Sequence, residues 1–120
     1  MHPHLLSVDD EIDMTSLFET YFVALGYRVS TAQDGNAALA IDETDPVDLL
    51  ITDLAMPGMR GDQLAAHFHE RRPDLPVIIV TGYAGSERFD NRRISLLAKP
   101  VSMALLGKRV SDMLSEAEST

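Results

Sequence analysis

The chain has no cysteine. Disulfide frameworks and thiolate metal sites are therefore excluded, and a cytoplasmic home is the expectation. It also lacks any apolar run near the roughly 18 residues that a membrane span needs. The first residues, MHPHLLSVDDE, carry neither a basic start nor a cleavage-site pattern, so no signal peptide is expected. Positive charge is scarce: 10 Lys and Arg stand against 19 Asp and Glu, for a net charge of −9. That balance argues against general affinity for nucleic acid or an anionic membrane, and suits a partner with a basic contact surface. Internal repeats, low-complexity tracts and linkers are missing too. What remains is 120 residues, 45% of them hydrophobic and 24% charged. This is an ordinary globular mix, read as one domain over residues 1–120 that buries roughly two-thirds of its unfolded surface. Residues 116–120 read as a frayed tail.

Short apolar runs alternate with longer periodic ones. The expected strands are residues 4–8, 27–32, 47–52, 77–81 and 95–98. Runs such as VDLLIT and VIIVT are continuous rather than alternating, which suits strands covered on both faces of a parallel sheet. Between them lie helical patterns. Met14, Leu17, Phe18, Tyr21 and Leu25 form one stripe, with Gly26 as a natural stop. Ala37, Ala40, Ile41 and Thr44 mark a second helix. Leu64, Ala65 and Phe68 mark a third, ended before Pro73. A short fourth is expected within residues 82–91. Met103, Leu106, Val110, Met113 and Leu114 mark the last, with Ser102 as its N-cap. Strands alternating with helices imply right-handed βαβ units, hence an α/β doubly wound five-stranded parallel sheet with helices on both faces.

In such a sheet, ligands bind at the carboxyl ends of the strands. The first strand is followed by Asp9, Asp10 and Glu11, the third by Asp53. The fourth ends in Thr81 and the fifth in Lys99-Pro100. Each residue has an ordinary reading. Asp9 and Asp10 suit a helix start, Asp53 a polar turn, Thr81 a cap and Lys99 a solvated surface. Taken together, those readings leave unexplained why four strand ends carry two acids, an acid, a hydroxyl and an ammonium. Three carboxylates in one crevice repel and want a cation, and their oxygens suit a hard ion such as Mg²⁺. Beside it, Asp53 can act as a carboxylate nucleophile toward phosphorus. Lys99 and Thr81 can neutralise the oxygens of the transferring phosphoryl group. An aspartyl phosphate is the expected product.

The motifs SVDDE (residues 7–11), ITDLAMPGMRG (51–61), VIIVTGYA (77–84) and LLAKP (96–100) stand in this order at matching strand ends. Together they resemble the receiver domain of two-component response regulators, over nearly the whole chain. The resemblance implies a flavodoxin-like fold with strand order 2-1-3-4-5. It implies phosphoryl transfer from a phosphohistidine, on a sensor histidine kinase or a histidine phosphotransfer protein, to Asp53. Asp10 and Asp53 would then bind Mg²⁺ directly with the backbone carbonyl of Ala55, and Asp9 would act through metal-bound water. Thr81 would move toward the phosphoryl group and report its presence, and Lys99 would pair with one of its oxygens. The Lys99–Pro100 peptide is expected to be cis. Such a domain catalyses its own phosphorylation and dephosphorylation and is not a turnover enzyme.

Several positions depart from the family's pattern. Leu96 stands three before Lys99, where family members often carry an aromatic residue that rotates with the switch threonine. Output must then be weaker, different or routed elsewhere. Ala55 and Tyr83, two positions after Asp53 and Thr81, are where the family tunes phosphoryl lifetime. Ala55 offers no polar group to hold an attacking water and Tyr83 can shield the phosphoryl group, so slow hydrolysis is expected. The interval from Thr81 to Lys99 is shorter than the family usually shows, and Asp90-Asn91-Arg92-Arg93 stands where a small-residue turn is usual. A shortened fourth helix follows, which argues for a monomer or weak dimer. In this the chain resembles receivers attached to hybrid sensor kinases.

Other features carry less. His2 and His4 lack partners at metal spacing, and His67 and His69 face different ways on a helix. Arg71-Arg72 and Arg92-Arg93 are expected to be solvated. No output domain is expected after the last helix, which leaves a phosphorelay intermediate, a phosphate sink, a stand-alone partner-binding protein or a fragment of a hybrid kinase. Two other functions compete with the phosphoacceptor. One is a pseudo-receiver that takes no phosphate and acts as a protein interaction module. The other is an aspartyl-phosphate phosphohydrolase, but Asp53-Leu54-Ala55 lacks the second acid such enzymes place two residues on.

Overall fold

The computed structural model of the chain describes residues 2–82 and 93–118. Five strands form one parallel sheet: β1 (His4–Val8), β2 (Arg28–Ala32), β3 (Leu49–Asp53), β4 (Val77–Thr81) and β5 (Ile94–Ala98). Their order across the sheet is β2-β1-β3-β4-β5, as the motifs imply. Four helices are described: α1 (Ile12–Ala24), α2 (Gly35–Thr44), α3 (Gly61–Arg71) and α4 (Met103–Glu118). Of the short helix expected within residues 82–91, all but Gly82 lies outside the described residues, Tyr83 included, so α4 is the helix that follows β5.

The continuous apolar strands are the central ones. Every residue of β1, β3 and β4 is buried. Because side chains alternate across a strand, each central strand feeds two cores. Leu6, Leu50, Val77 and Ile79 pack with Ala38 of α2 and Leu64, Ala65 and Phe68 of α3. Leu5, Leu49, Ile78 and Val80 pack with Phe18 and Phe22 of α1 and Leu106, Val110 and Met113 of α4. Both faces are thus covered, which is what a parallel sheet needs.

Two helical stripes match their sequence reading only in part: Met14, Phe18 and Tyr21 of α1 and Ile41 of α2 face the cores, and the rest do not. In α1 the buried residues are Thr15, Phe18 and Phe22, while Leu17 and Leu25 are 50% and 54% exposed. The segment IDMTSLFETYFVA is apolar around much of its circumference, so spacing alone does not choose its inward face. Thr15 can face inward because its hydroxyl donates to the Ile12 carbonyl at 3.0 Å. In α2 the inward residues are Gly35, Ala38 and Asp42 rather than Ala37, Ala40 and Thr44. Asp34 caps that helix by accepting from the Ala37 N–H at 2.8 Å. The last helix begins as expected, with the Ser102 hydroxyl accepting from the Leu105 N–H at 3.2 Å.

The solvated reading of Arg71-Arg72 is also corrected. Asp42 is buried and needs partners. It accepts from the Val47 N–H at 3.0 Å and from Arg71 Nη1 at 3.1 Å, and Arg72 Nη2 also donates to it. Arg72 reaches the Val47 carbonyl as well. The two arginines therefore tie the ends of α2 and α3 to the residues that lead into β3. At the same edge of the sheet, His4 is buried within hydrogen-bond distance of Ser30 Oγ and the Pro46 carbonyl.

Candidate functional site

Parallel strands deliver all their carboxyl ends to one edge, opposite the Asp42 cluster. Chain direction alone therefore brings the acids, the threonine and the lysine to the same side. Asp9 directly follows β1, and its N–H bonds the Ala32 carbonyl at 3.1 Å, extending the strand register by one residue. Its carboxylate accepts from the Glu11 N–H at 3.0 Å, at the mouth of α1. Asp53 is the last residue of β3, one position further than the sequence reading placed the strand end. It pairs with Val80 across the sheet and is 8% exposed. Thr81 ends β4 and is buried; its carbonyl accepts from the Lys99 N–H at 2.9 Å. The Lys99–Pro100 peptide is cis.

These positions bring four side chains together. Asp9, Asp10 and Asp53 each offer an oxygen within 4.8 Å of the others. Lys99 Nζ lies 3.0 Å from Asp53 Oδ1. Asp9 is buried and Asp10 exposed, so the cluster opens outward through Asp10. Ala55, two residues past Asp53, is exposed, whereas Leu96 is half-buried and packs against the core shared with α2 and α3.

Burial first, and neighbouring groups second, shift the proton affinity of Asp9. Burial pushes the Asp9 carboxyl up from 3.8 to about 6, with the nearby Asp53 charge adding to it and the Glu11 N–H and Lys99 opposing. For Lys99, burial works against the charged form, but the contact with Asp53 and the charges of Asp53, Asp9 and Glu11 outweigh it. The ammonium is therefore held above its usual range. An all-oxygen donor set of three close carboxylates, strained by its own repulsion, fits a hard divalent cation such as Mg²⁺.

The Asp9 shift has a measurable consequence without any metal. Its folded value lies above its unfolded one, so the folded state holds more protons between pH 3.8 and about 6. Stability contributed by this group therefore falls as pH rises through that window, and the full penalty is present at pH 7. Asp9→Asn should then be more stable than the wild type at pH 7 in chelator, by on the order of 2 kcal/mol, with the gain vanishing near pH 4. Urea melts across that pH range read the difference. Equal midpoints at pH 7 would contradict the strained-cluster description.

Two residues of this site are not evident from sequence reasoning. A Cβ on Gly61, the first residue of α3, would lie 2.2 Å from the Asp53 carbonyl oxygen. The Thr52 hydroxyl donates to that same carbonyl at 2.9 Å and is fully buried. The only hint in the sequence is a polar residue closing the apolar run LLIT and a glycine closing MPGMRG.

Comparison with known proteins agrees with this fold. The model of the response regulator receiver domain matches residues 5–111. The transcriptional regulatory protein GlrR of Escherichia coli K12 is 34% identical over 118 residues, which cover 95% of this chain and 27% of that protein. The chain thus spans about a quarter of the length of that curated relative. The receiver domain of the hybrid histidine kinase CckA superimposes with a TM-score of 0.81 at 33% identity, covering 92% of this chain and 98% of the other. The response regulator TrrA of Thermotoga maritima, solved in complex with Mg(2+)-BeF, gives a TM-score of 0.83 at 26% identity, with 92% and 98% covered. No helix among the described residues is long and apolar enough to cross a membrane.

Proposed function

Because the chain belongs to the response regulator receiver domain family of two-component signalling, we propose that residues 1–120 form a single receiver unit that takes a phosphoryl group onto Asp53. The donor is a phosphohistidine on a sensor histidine kinase or a histidine phosphotransfer protein. The observation that carries this reading is the Lys99 ammonium seated 3.0 Å from Asp53 inside a cluster of three carboxylates. An ammonium there offsets carboxylate charge in the resting cluster, and the same positive charge is what a transferring phosphoryl group needs.

In the proposed transfer an Asp53 carboxylate oxygen attacks phosphorus. The P–O bond forms as the P–N bond breaks, and the imidazole nitrogen leaves with the bonding pair. Burial at the end of β3 fixes the nucleophile on a rigid element rather than a loop. Lys99 keeps its proton, since its pKa is raised, and turns from the carboxylate to a phosphoryl oxygen. The Thr81 hydroxyl, at the end of the adjacent strand, meets another. Asp9, Asp10 and Asp53 with the Ala55 carbonyl would hold Mg²⁺, which supplies charge neutralisation at the phosphoryl oxygens when bound. Ala55 brings no polar side chain to orient a hydrolytic water, which supports a long-lived phosphate.

The test is direct. The protein is incubated with acetyl phosphate, with and without MgCl₂, and weighed intact. The mass of one phosphoryl group should appear only with Mg²⁺, and Asp53→Asn should gain none. No gain in the wild type at any donor concentration replaces this reading with the interaction module. Rapid multiple turnover on phosphate monoesters replaces it with a hydrolase.

A further inference from the structure

The Asp53 main chain is gripped from two sides, and the grip bears on the nucleophile. Thr52 precedes Asp53, is fully buried, and directs its hydroxyl to the Asp53 carbonyl at 2.9 Å. Its other polar neighbour is the Met56 sulfur at 4.0 Å, a weak acceptor at that range, so the carbonyl is its chief partner. On the far side stands Gly61, so close that a Cβ would meet the same oxygen at 2.2 Å. The Gly61 N–H in turn bonds the next carbonyl, that of Leu54, at 2.9 Å, and the Leu54 N–H bonds Val80 at 3.1 Å. The Asp53–Leu54 peptide is thus held by a hydroxyl, a glycine and the neighbouring strand.

Resting on the proposed phosphoryl chemistry, we infer that Thr52 is a positioning residue: its hydroxyl anchors the Asp53–Leu54 peptide and so aims the Asp53 carboxylate and the Ala55 carbonyl into the site. The physics is local. One end of this peptide carries the nucleophile's side chain, and the other leads through Leu54 to Ala55. A rotation of its plane changes both directions at once. Without the hydroxyl the carbonyl is a buried acceptor short of a partner, and the peptide gains a reason to turn. A Val in this place keeps the shape and the β-branched fit of the strand while removing the donor.

Thr52→Val and Thr52→Ser separate the roles. Labelling by acetyl phosphate is followed by intact mass at saturating and limiting donor, and MgCl₂ affinity is measured by titration calorimetry. In Thr52→Val the saturating rate should fall roughly tenfold or more while the half-saturating donor concentration stays near the wild-type value. Mg²⁺ affinity should weaken by roughly tenfold. Thr52→Ser, which keeps the donor, should restore both to within about twofold. A Val variant that labels at the wild-type rate, or a Ser variant as slow as Val, overturns the inference. A wild type that binds Mg²⁺ yet takes no label sinks the phosphoacceptor reading instead. The anchor is then judged by Mg²⁺ affinity alone, supported by loss in Val with recovery in Ser and overturned by equal affinities.

Discussion

Gly61→Ala should cost at least about 2 kcal/mol of stability and slow phosphoryl uptake by Asp53 roughly tenfold. The obstacle to the new methyl group is main chain, not a flexible side-chain tip. It would meet the Asp53 oxygen at 2.2 Å, and the Asp53 carbonyl carbon and Leu54 Cα at 3.0 Å each. Neither β3 nor the start of α3 can yield without the other. The strand is locked by its pairing with β4, and the helix by Leu64, Ala65 and Phe68 in the core. The displaced residue is therefore the proposed nucleophile itself. Gly58→Ala provides the contrast. Gly58 sits at φ +79° with open space around it, so alanine there strains only its own turn, by about 1 kcal/mol. Urea melts and acetyl phosphate labelling of both variants read the difference. If Gly61→Ala melts like Gly58→Ala and labels like the wild type, the close approach does not constrain the site.

The second large effect lies at the opposite edge of the sheet and is one of stability alone. Asp42→Ala should destabilise the fold by about 3 kcal/mol. It leaves the Val47 N–H, Arg71 and Arg72 without their shared acceptor. Each guanidinium is about one-third exposed, so water recovers part of that loss, but Val47 is buried and its N–H gets no such relief. Asp42→Asn keeps an acceptor for Val47 and should cost less, about 1 kcal/mol. Acid provides an independent check. Burial works against the Asp42 charge, but the Val47 N–H and the two guanidiniums outweigh it and hold the carboxyl below its ordinary 3.8. A depressed folded pKa contributes stability that is present above the unfolded value and lost as pH falls through the folded one. The gap between wild type and Asp42→Ala should therefore close in strong acid. Labelling per folded molecule should be unchanged, because this cluster braces the amino ends of the strands and the proposed chemistry sits at their carboxyl ends. A variant as stable as wild type at pH 7 would show the arginines to be solvated after all.

Much of the site was legible because strand ends are legible. Continuous apolar runs such as VIIVT mark where a strand stops, and the next residue names what it delivers to the edge. Asp9, Asp53, Thr81 and Lys99 are legible in this way, while the contact between Lys99 and Asp53 is seen only in the structure. The contacts made through main chain were not legible. Nothing in the letters Thr52 and Gly61 says that both close on one carbonyl, since that depends on how α3 returns to β3. The inward faces of α1 and α2 are legible only in part, through Met14, Phe18 and Tyr21 in one and Ile41 in the other, for a related reason. Where a helix is apolar on several sides, its phase is chosen by the sheet beneath it, which spacing does not describe. Arg71 and Arg72 read as solvent-facing because their partner Asp42 lies on another helix, 29 and 30 positions away.

The order of the strands was implied by the resemblance the four motifs carry; the residues alone carried the positions of the strands, the parallel direction they run and the chemical identity of the groups at their ends. Those properties follow from runs of apolar residues and from what interrupts them, and they are local. The distances, by contrast, come from the folded chain. Chain return through α1 and α3 and the pairing of β5 with β4 set three carboxylates within 4.8 Å of one another and an ammonium 3.0 Å from Asp53. Folding also buries Asp9 and so raises its pKa to about 6. Proximity and burial are properties of residues far apart in the chain, and they turn a set of ordinary acids into a strained cluster suited to a cation and a phosphoryl group.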